Sequence, residues 1–269
     1  MHKSSLLLLL SFIFLTNGCG SSNDDDDQND PQEETSTPDT NAGRVTLWDR
    51  SDSYDAAIFL PADYGTDAAK DYPLILSLHG FNGSVLNSDG SVGGERTGFI
   101  KQVWDTPLAA NYPAIVIAPD IYPTNDSENR LWDHDRLREL IQEALATYQI
   151  DPNRIVVTGH SSGSIAAQDL ALRSKDLIAG IMPGAFEAVI KADVCAVDDL
   201  PIWSFGNRSD VLFQAASWSS VESDIKDCPN YTSEFQLTIN ENGCGHDCWD
   251  EHWARSDVQE WLINQEKAR

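Results

Sequence analysis

The chain has 269 residues, with 43 Asp or Glu against 18 Lys or Arg, for a formal charge of −25. A surface this acidic repels phosphate backbones, which argues against nucleic acid as a partner and disfavours polyanionic substrates. The length suffices for one large core or two small ones.

Residues 1–18 read as a secretory signal peptide. Lys3 supplies the positive start, and 6–10 with 12–15 form an apolar core too short to span a bilayer. Cys19 follows in "LTNGC", which resembles a lipobox with Thr16 where Leu is usual. The resemblance implies an exported lipoprotein acylated at Cys19 and held at the outer membrane or cell surface, the alternative being plain secretion. Residues 19–43 are polar and acidic, too poor in apolar groups to bury a core, and read as a disordered tether.

From Arg44 onward strands and helices alternate. Strands are expected at 44–48, 56–60, 74–79, 114–118, 154–159, 177–182, 201–206 and 234–239. Several are continuous apolar runs, the pattern of strands buried on both faces. Helices are expected at 133–149, 162–172, 211–224 and 250–264, the first with Leu137, Leu140, Ile141, Ala144, Leu145 and Tyr148 on one face. This alternation predicts an α/β class with a mostly parallel sheet, helices on both faces, and a single domain over 44–269.

In such sheets function gathers at the carboxyl ends of the strands. After 154–159 comes Gly159-His160-Ser161-Ser162-Gly163, after 201–206 comes Asn207-Arg208-Ser209-Asp210, and after 234–239 comes Gly243-Cys244-Gly245-His246. Ser, Asp and His stand in that chain order, each just past a strand, and G-x-S-x-G at a strand-to-helix turn is the nucleophile elbow of α/β-hydrolases. We assign Ser161 as nucleophile, His246 as general base and Asp210 as the carboxylate that orients it. His79, His134, His160 and His252 fall in a loop, a helix start, the elbow itself and a helix. The backbone N–H groups of Ser162 and of Phe81, in the loop after 74–79, are the expected oxyanion donors. Trp132, Trp249 and Trp253 are candidates for stacking on substrate rings, with core packing the ordinary alternative.

Four further cysteines predict two disulfides, and we favour Cys244–Cys248 with Cys195–Cys228. Cys244 and Cys248 around His246, with His252 beyond, lack the paired spacing of a structural zinc site, so neither metal nor cofactor is expected.

"PLILSLHG", "YPAIVIAPD", "DPNRIVVTGHSSGS", "GGERTGF" and "GCGHDCWDEHW" together resemble the carboxylesterase and feruloyl-esterase-like branch of the α/β-hydrolases, over about residues 70–260. The branch has Met where Ser162 stands, Gly where Ser164 stands, and F-H-G-x-x-D where this chain has "FGNRSD". The resemblance implies a serine esterase acting on carboxylic esters, with feruloyl or acetyl esters of polysaccharides favoured. A serine peptidase or a polyester depolymerase would use the same triad. A non-catalytic surface binding protein on the same scaffold should lack a triad member.

Overall fold

The computed structural model describes residues 39–50, 53–81, 83–94, 97–121, 131–232, 234–241, 245–246 and 249–267. The signal peptide, Cys19, Cys244 and Cys248 lie outside the described residues. Eight strands form one sheet: β1 (Val45–Trp48), β2 (Ala56–Phe59), β3 (Tyr72–Leu78), β4 (Ile115–Pro119), β5 (Ile150–His160), β6 (Gly180–Gly184), β7 (Ile202–Asn207) and β8 (Phe235–Asn240), in the order β1-β2-β4-β3-β5-β6-β7-β8. β1 and β2 pair antiparallel, as do β2 and β4, and every pair from β4 across to β8 is parallel.

The helices are α1 (His134–Thr147), α2 (Ser162–Ser174), α3 (Ala215–Ile225), α4 (Trp249–Trp253) and α5 (Ser256–Asn264). Alternate strand residues point to opposite faces. Leu74, Leu76, Leu78, Ile155, Val157 and Ile181 pack with α1, α2 and α3 on one side. Ile75, Val116, Val156 and Met182 pack on the other with the 3-10 turns Phe99–Val103 and Pro107–Ala110 and with Trp253, Val258, Trp261 and Leu262 of α4 and α5. Both faces of β3 to β6 are therefore dry, as the continuous apolar runs require.

Several boundaries differ from the sequence expectation, β5 among them, which enters the sheet at Ile150 instead of 154. β6 starts at Gly180, because a 3-10 turn at Lys175–Leu177 delays the chain's entry into the sheet. α3 starts at Ala215, since Gln214 takes a left-handed conformation (φ 47°) that breaks the turn before it. The expected helix 250–264 is two helices, because Arg255 is extended (φ −70°, ψ 134°). The folded chain also reaches into the segment that composition assigns to the tether. Asp39 N–H donates to the Tyr64 carbonyl at 3.0 Å and Gly43 N–H to the Leu60 carbonyl at 2.8 Å, so backbone pairing fixes residues that hydrophobicity could not.

α1 is capped by Asp133, whose carboxylate accepts the Arg136 N–H at 2.9 Å. Cys195 and Cys228 form a disulfide, with Cα atoms 5.4 Å apart, that ties the 3-10 segment Val189–Val197 to the chain just after α3. Closing a loop of 33 residues restricts the unfolded chain by about 3–4 kcal/mol. At roughly 2–4 °C per kcal/mol for a domain of this size, Cys195→Ser with Cys228→Ser should lower the melting temperature by about 10 °C. Thermal unfolding followed by circular dichroism checks this; an unchanged midpoint would show that the bridge adds nothing to stability.

Candidate active site

Parallel register brings the carboxyl ends of β3, β5, β6, β7 and β8 to one edge of the sheet, and the site lies there. Ser161 follows β5 directly and has φ 53° and ψ −121°, a conformation rare for a residue with a side chain. Holding it costs on the order of 1–3 kcal/mol, which the surroundings must supply. Its N–H donates to the Gly184 carbonyl at 3.0 Å, and its carbonyl accepts from the N–H groups of Ser164 (3.0 Å) and Ile165 (3.2 Å). The flanking glycines make the turn compact. A Cβ on Gly163 would lie 2.3 Å from the Leu78 carbonyl oxygen, and one on Gly159 would lie 2.5 Å from that of Gly163. Strand β5, strand β3 and helix α2 thus touch backbone to backbone beneath the serine.

The structure brings Ser161, His246 and Asp210 together. His246 Nε2 is 3.0 Å from Ser161 Oγ, and His246 Nδ1 is 2.9 Å from Asp210 Oδ2. With Asp210 as an acceptor, Nδ1 carries the ring proton and Nε2 is the lone pair that accepts from the Ser161 hydroxyl. The Asp210 side chain is buried, and its Oδ1 accepts the Leu212 N–H at 2.9 Å. Each carboxylate oxygen therefore has a donor in a dry setting, which fixes the plane of the carboxyl group and through it the imidazole.

Ser162 is the first residue of α2, and the opening N–H groups of a helix have no acceptor within it. This places its N–H beside Ser161, at the positive end of the helix dipole. Phe81 sits after β3 in the turn closed by Gly83 N–H donating to the Gly80 carbonyl at 2.9 Å.

That turn is braced by groups which sequence reasoning passed over. Asp120, at the end of β4, is fully buried, and its Oδ2 accepts from the N–H groups of Val85 and Leu86 (both 2.8 Å) and from the Ser84 hydroxyl (2.6 Å). Its Oδ1 is 3.6 Å from Nε2 of the buried His79. The only signal for Asp120 in the sequence is a carboxylate closing an apolar run. Trp132 packs against His79 (ring centroids 4.8 Å) and donates its indole N–H to the His79 carbonyl at 3.2 Å. Trp249 stacks on His160 at 4.4 Å and meets His246 edge-on at 5.4 Å. Trp253 is buried and donates to the Thr158 hydroxyl at 3.0 Å, so it packs under the site instead of facing a substrate.

Three histidines near His246 are set apart from it by their surroundings. Burial beneath Trp249 and Trp253 pushes His160 down to about 3, with smaller contributions from the nearby His79 and His246. Burial, with Arg255 adding repulsion, pushes His252 down to about 4. His79 is enclosed as described. His160 and His252 are therefore neutral at pH 7. In the unfolded chain each takes a proton near pH 6.5, so folded stability present above that pH is lost as pH falls toward 4 and then 3. Ring-nitrogen chemical shifts should remain those of neutral imidazole at both residues down to about pH 5. A protonated His160 at pH 6 in the folded protein would contradict the burial argument.

No family model matches the chain, and no curated protein does. Solved structures do. A thermostable esterase superimposes with a TM-score of 0.65 at 21% identity, over 83% of this chain and 63% of its own, so the chain spans less than two thirds of that protein. A ferulic acid esterase gives 0.59 at 14% identity, over 82% of this chain and 98% of its own. A serine-to-alanine mutant of the feruloyl esterase module from Clostridium thermocellum, complexed with sinapinate, gives 0.58 at 13% identity, over 87% and 92%. The strand order, the strained turn after β5 and these superpositions lead to one architecture: the chain has the α/β-hydrolase fold.

Proposed function

We propose that the protein is an exported serine esterase that hydrolyses carboxylic esters through an acyl-enzyme, with ester groups on polysaccharide as the favoured substrates. The observation that carries this reading is the continuous hydrogen-bonded path from Asp210 through His246 to Ser161, ending on a nucleophile held in a strained turn. Ser161 Oγ attacks the ester carbonyl carbon while its proton passes to His246 Nε2. The carbonyl oxygen becomes an oxyanion, facing the N–H groups of Ser162 and Phe81. The alkoxy group then leaves with the proton from His246, and the acyl group stays on Ser161. Water repeats the sequence, giving its proton to His246 and releasing the carboxylic acid.

The choice of esters is supported by the likeness to esterases in fold and by the sequence motifs around Ser161 and His246. Export is supported by the apolar segment at 6–15, by Cys19, and by the Cys195–Cys228 bridge, since such bridges persist outside the reducing cytosol. On this reading Cys19 carries the lipid and the acidic stretch is the spacer that lets the domain reach a large substrate. Trp132 and Trp249, half-buried beside the site, keep an edge each for substrate while bracing the histidines.

Ser161→Ala should abolish hydrolysis of p-nitrophenyl acetate and labelling by a fluorophosphonate, with the fold intact by circular dichroism. Asp210→Asn should lower kcat by about 10⁴-fold, the size of loss seen when a triad base loses its tautomer and aim. In wild type, kcat/KM should fall as acid protonates His246, since a charged ring has no lone pair for the serine proton. Rates on methyl ferulate, acetylated xylan and a peptide amide would sort esterase from peptidase. Retained activity in Ser161→Ala, or a preference for the amide, would sink the proposal.

A further inference from the structure

The triad bonds are made by one ring, and that ring sits on the stretch of chain between β8 and α4. Packing does little to hold the residue before it. Gly245 has φ 72°, and a Cβ built there would meet no atom of the described residues within 4 Å beyond its chain neighbours. A base carried on so open a position needs some other constraint, because displacement of a reacting group by about 1 Å can cost 100-fold in rate.

The constraint is polar. Asn207, the last residue of β7, is buried, and its Nδ2 donates to the Gly245 carbonyl at 2.6 Å. The backbone carbonyl of the same residue accepts the Asp210 N–H at 3.1 Å. One residue therefore holds the backbone next to His246 with its side chain and the turn leading to Asp210 with its main chain. Its register partner in the sheet is Asn240, the last residue of β8. Asn240 Nδ2 lies 3.1 Å from Nε2 of the buried His252 in α4. The ring of His252 packs on Phe205 of β7 at 4.7 Å. The two strand ends thus grip the far side of the base-bearing stretch at two points, one just before His246 and one in the helix just after it. Arg208 N–H donates to the Asn240 carbonyl at 2.9 Å, so the two grips share one ladder rung and cannot drift apart.

We propose that Asn207 is a positioning residue for the general base, with Asn240 as its partner, and that the pair sets the distance and angle of His246 to both Ser161 and Asp210. The proposal rests on the triad reading above. An apolar residue at either position would still fill the space, yet the Gly245 carbonyl would lose its donor and the turn its anchor. Asn207 stands in the "FGNRSD" stretch, where this chain departs from the F-H-G-x-x-D pattern it resembles.

The test uses the full chain and four variants: Asn207→Ala, Asn207→Asp, Asn240→Ala and Ser161→Ala. Each is measured for kcat and KM on p-nitrophenyl acetate, for melting temperature, and for the downfield proton resonance of the His246 Nδ1–H donated to Asp210. Asn207→Ala should lose about 10- to 100-fold in kcat, as a small displacement of a catalytic group does. Its KM should stay within about twofold, and the downfield resonance should broaden or vanish while the fold persists. Asn207→Asp should lose at least as much, since an ionised carboxylate has no proton to donate and repels the Gly245 carbonyl. Asn240→Ala should lose less, because it acts through α4. A kcat for Asn207→Ala within twofold of wild type, with Ser161→Ala inactive, overturns the proposal and leaves the triad reading standing. An active Ser161→Ala overturns the triad reading instead. If neither Asn207 variant folds, the contact belongs to the fold and not to the aim of the ring, which also overturns the proposal.

Discussion

The site depends on a backbone conformation that its own residue disfavours. Ser161 at φ 53° points its hydroxyl off the top of the sheet, and no side chain produces that angle. It is imposed by close contact among β5, α2 and β3, which only glycine at positions 159 and 163 permits. It is then locked by three backbone hydrogen bonds, one of them across to Gly184 in β6. Stiffness in the parallel sheet is what makes this possible. β3, β5 and β6 are neighbours with fixed register, dry on both faces, and a dense interior does not relax to relieve a local strain of a few kcal/mol.

Beyond that elbow the site is assembled by loops, and each loop is tied down by polar groups, most of them at a strand end. Asp120 at the end of β4 collects the Val85 and Leu86 amides and braces the turn that carries Phe81. Trp132 holds the His79 carbonyl from the α1 side. Asn207 and Asn240 hold the stretch that carries His246. One such bond adds only about 1 kcal/mol to stability, less than a single buried leucine. What these bonds contribute is direction, which apolar packing does not specify. The division of labour is plain: the aliphatic core fixes the sheet, and a short rim of polar residues fixes the chemistry.

This division also explains what could be read from the sequence. The central strands stand out as apolar runs, and the elbow stands out because glycine, serine and glycine follow one of them. Ser161, Asp210 and His246 could be chosen from chain order and strand ends alone, and they meet at hydrogen-bonding distance in space. Asp120, Asn207 and Asn240 were not legible. Each acts on a group far off along the chain, so neither spacing nor periodicity marks it. The helix boundaries at Ala215 and at Arg255 turn on single backbone dihedrals, which residue type does not dictate. The reach of the fold back to Asp39 was hidden for a similar reason. Backbone amides pair whatever side chain they carry, so a polar segment can join a domain without any hydrophobic signal.

The histidines show the same logic applied to charge. His79, His160, His246 and His252 all lie within or beside the site, and the proposed proton transfer uses one of them. In the mechanism proposed above His246 becomes an imidazolium, stabilised by the Asp210 carboxylate. A second cation next to it would oppose that step. His160 is close enough for the two rings to interact electrostatically, yet burial between aromatic rings keeps it neutral down to about pH 3. Trp249 is the residue that connects these facts, with one face on His160 and an edge toward His246. The same ring that dries out the bystander also packs against the base. His246 alone among these rings has a carboxylate on one nitrogen and a serine hydroxyl on the other, with a third of its side chain open to solvent.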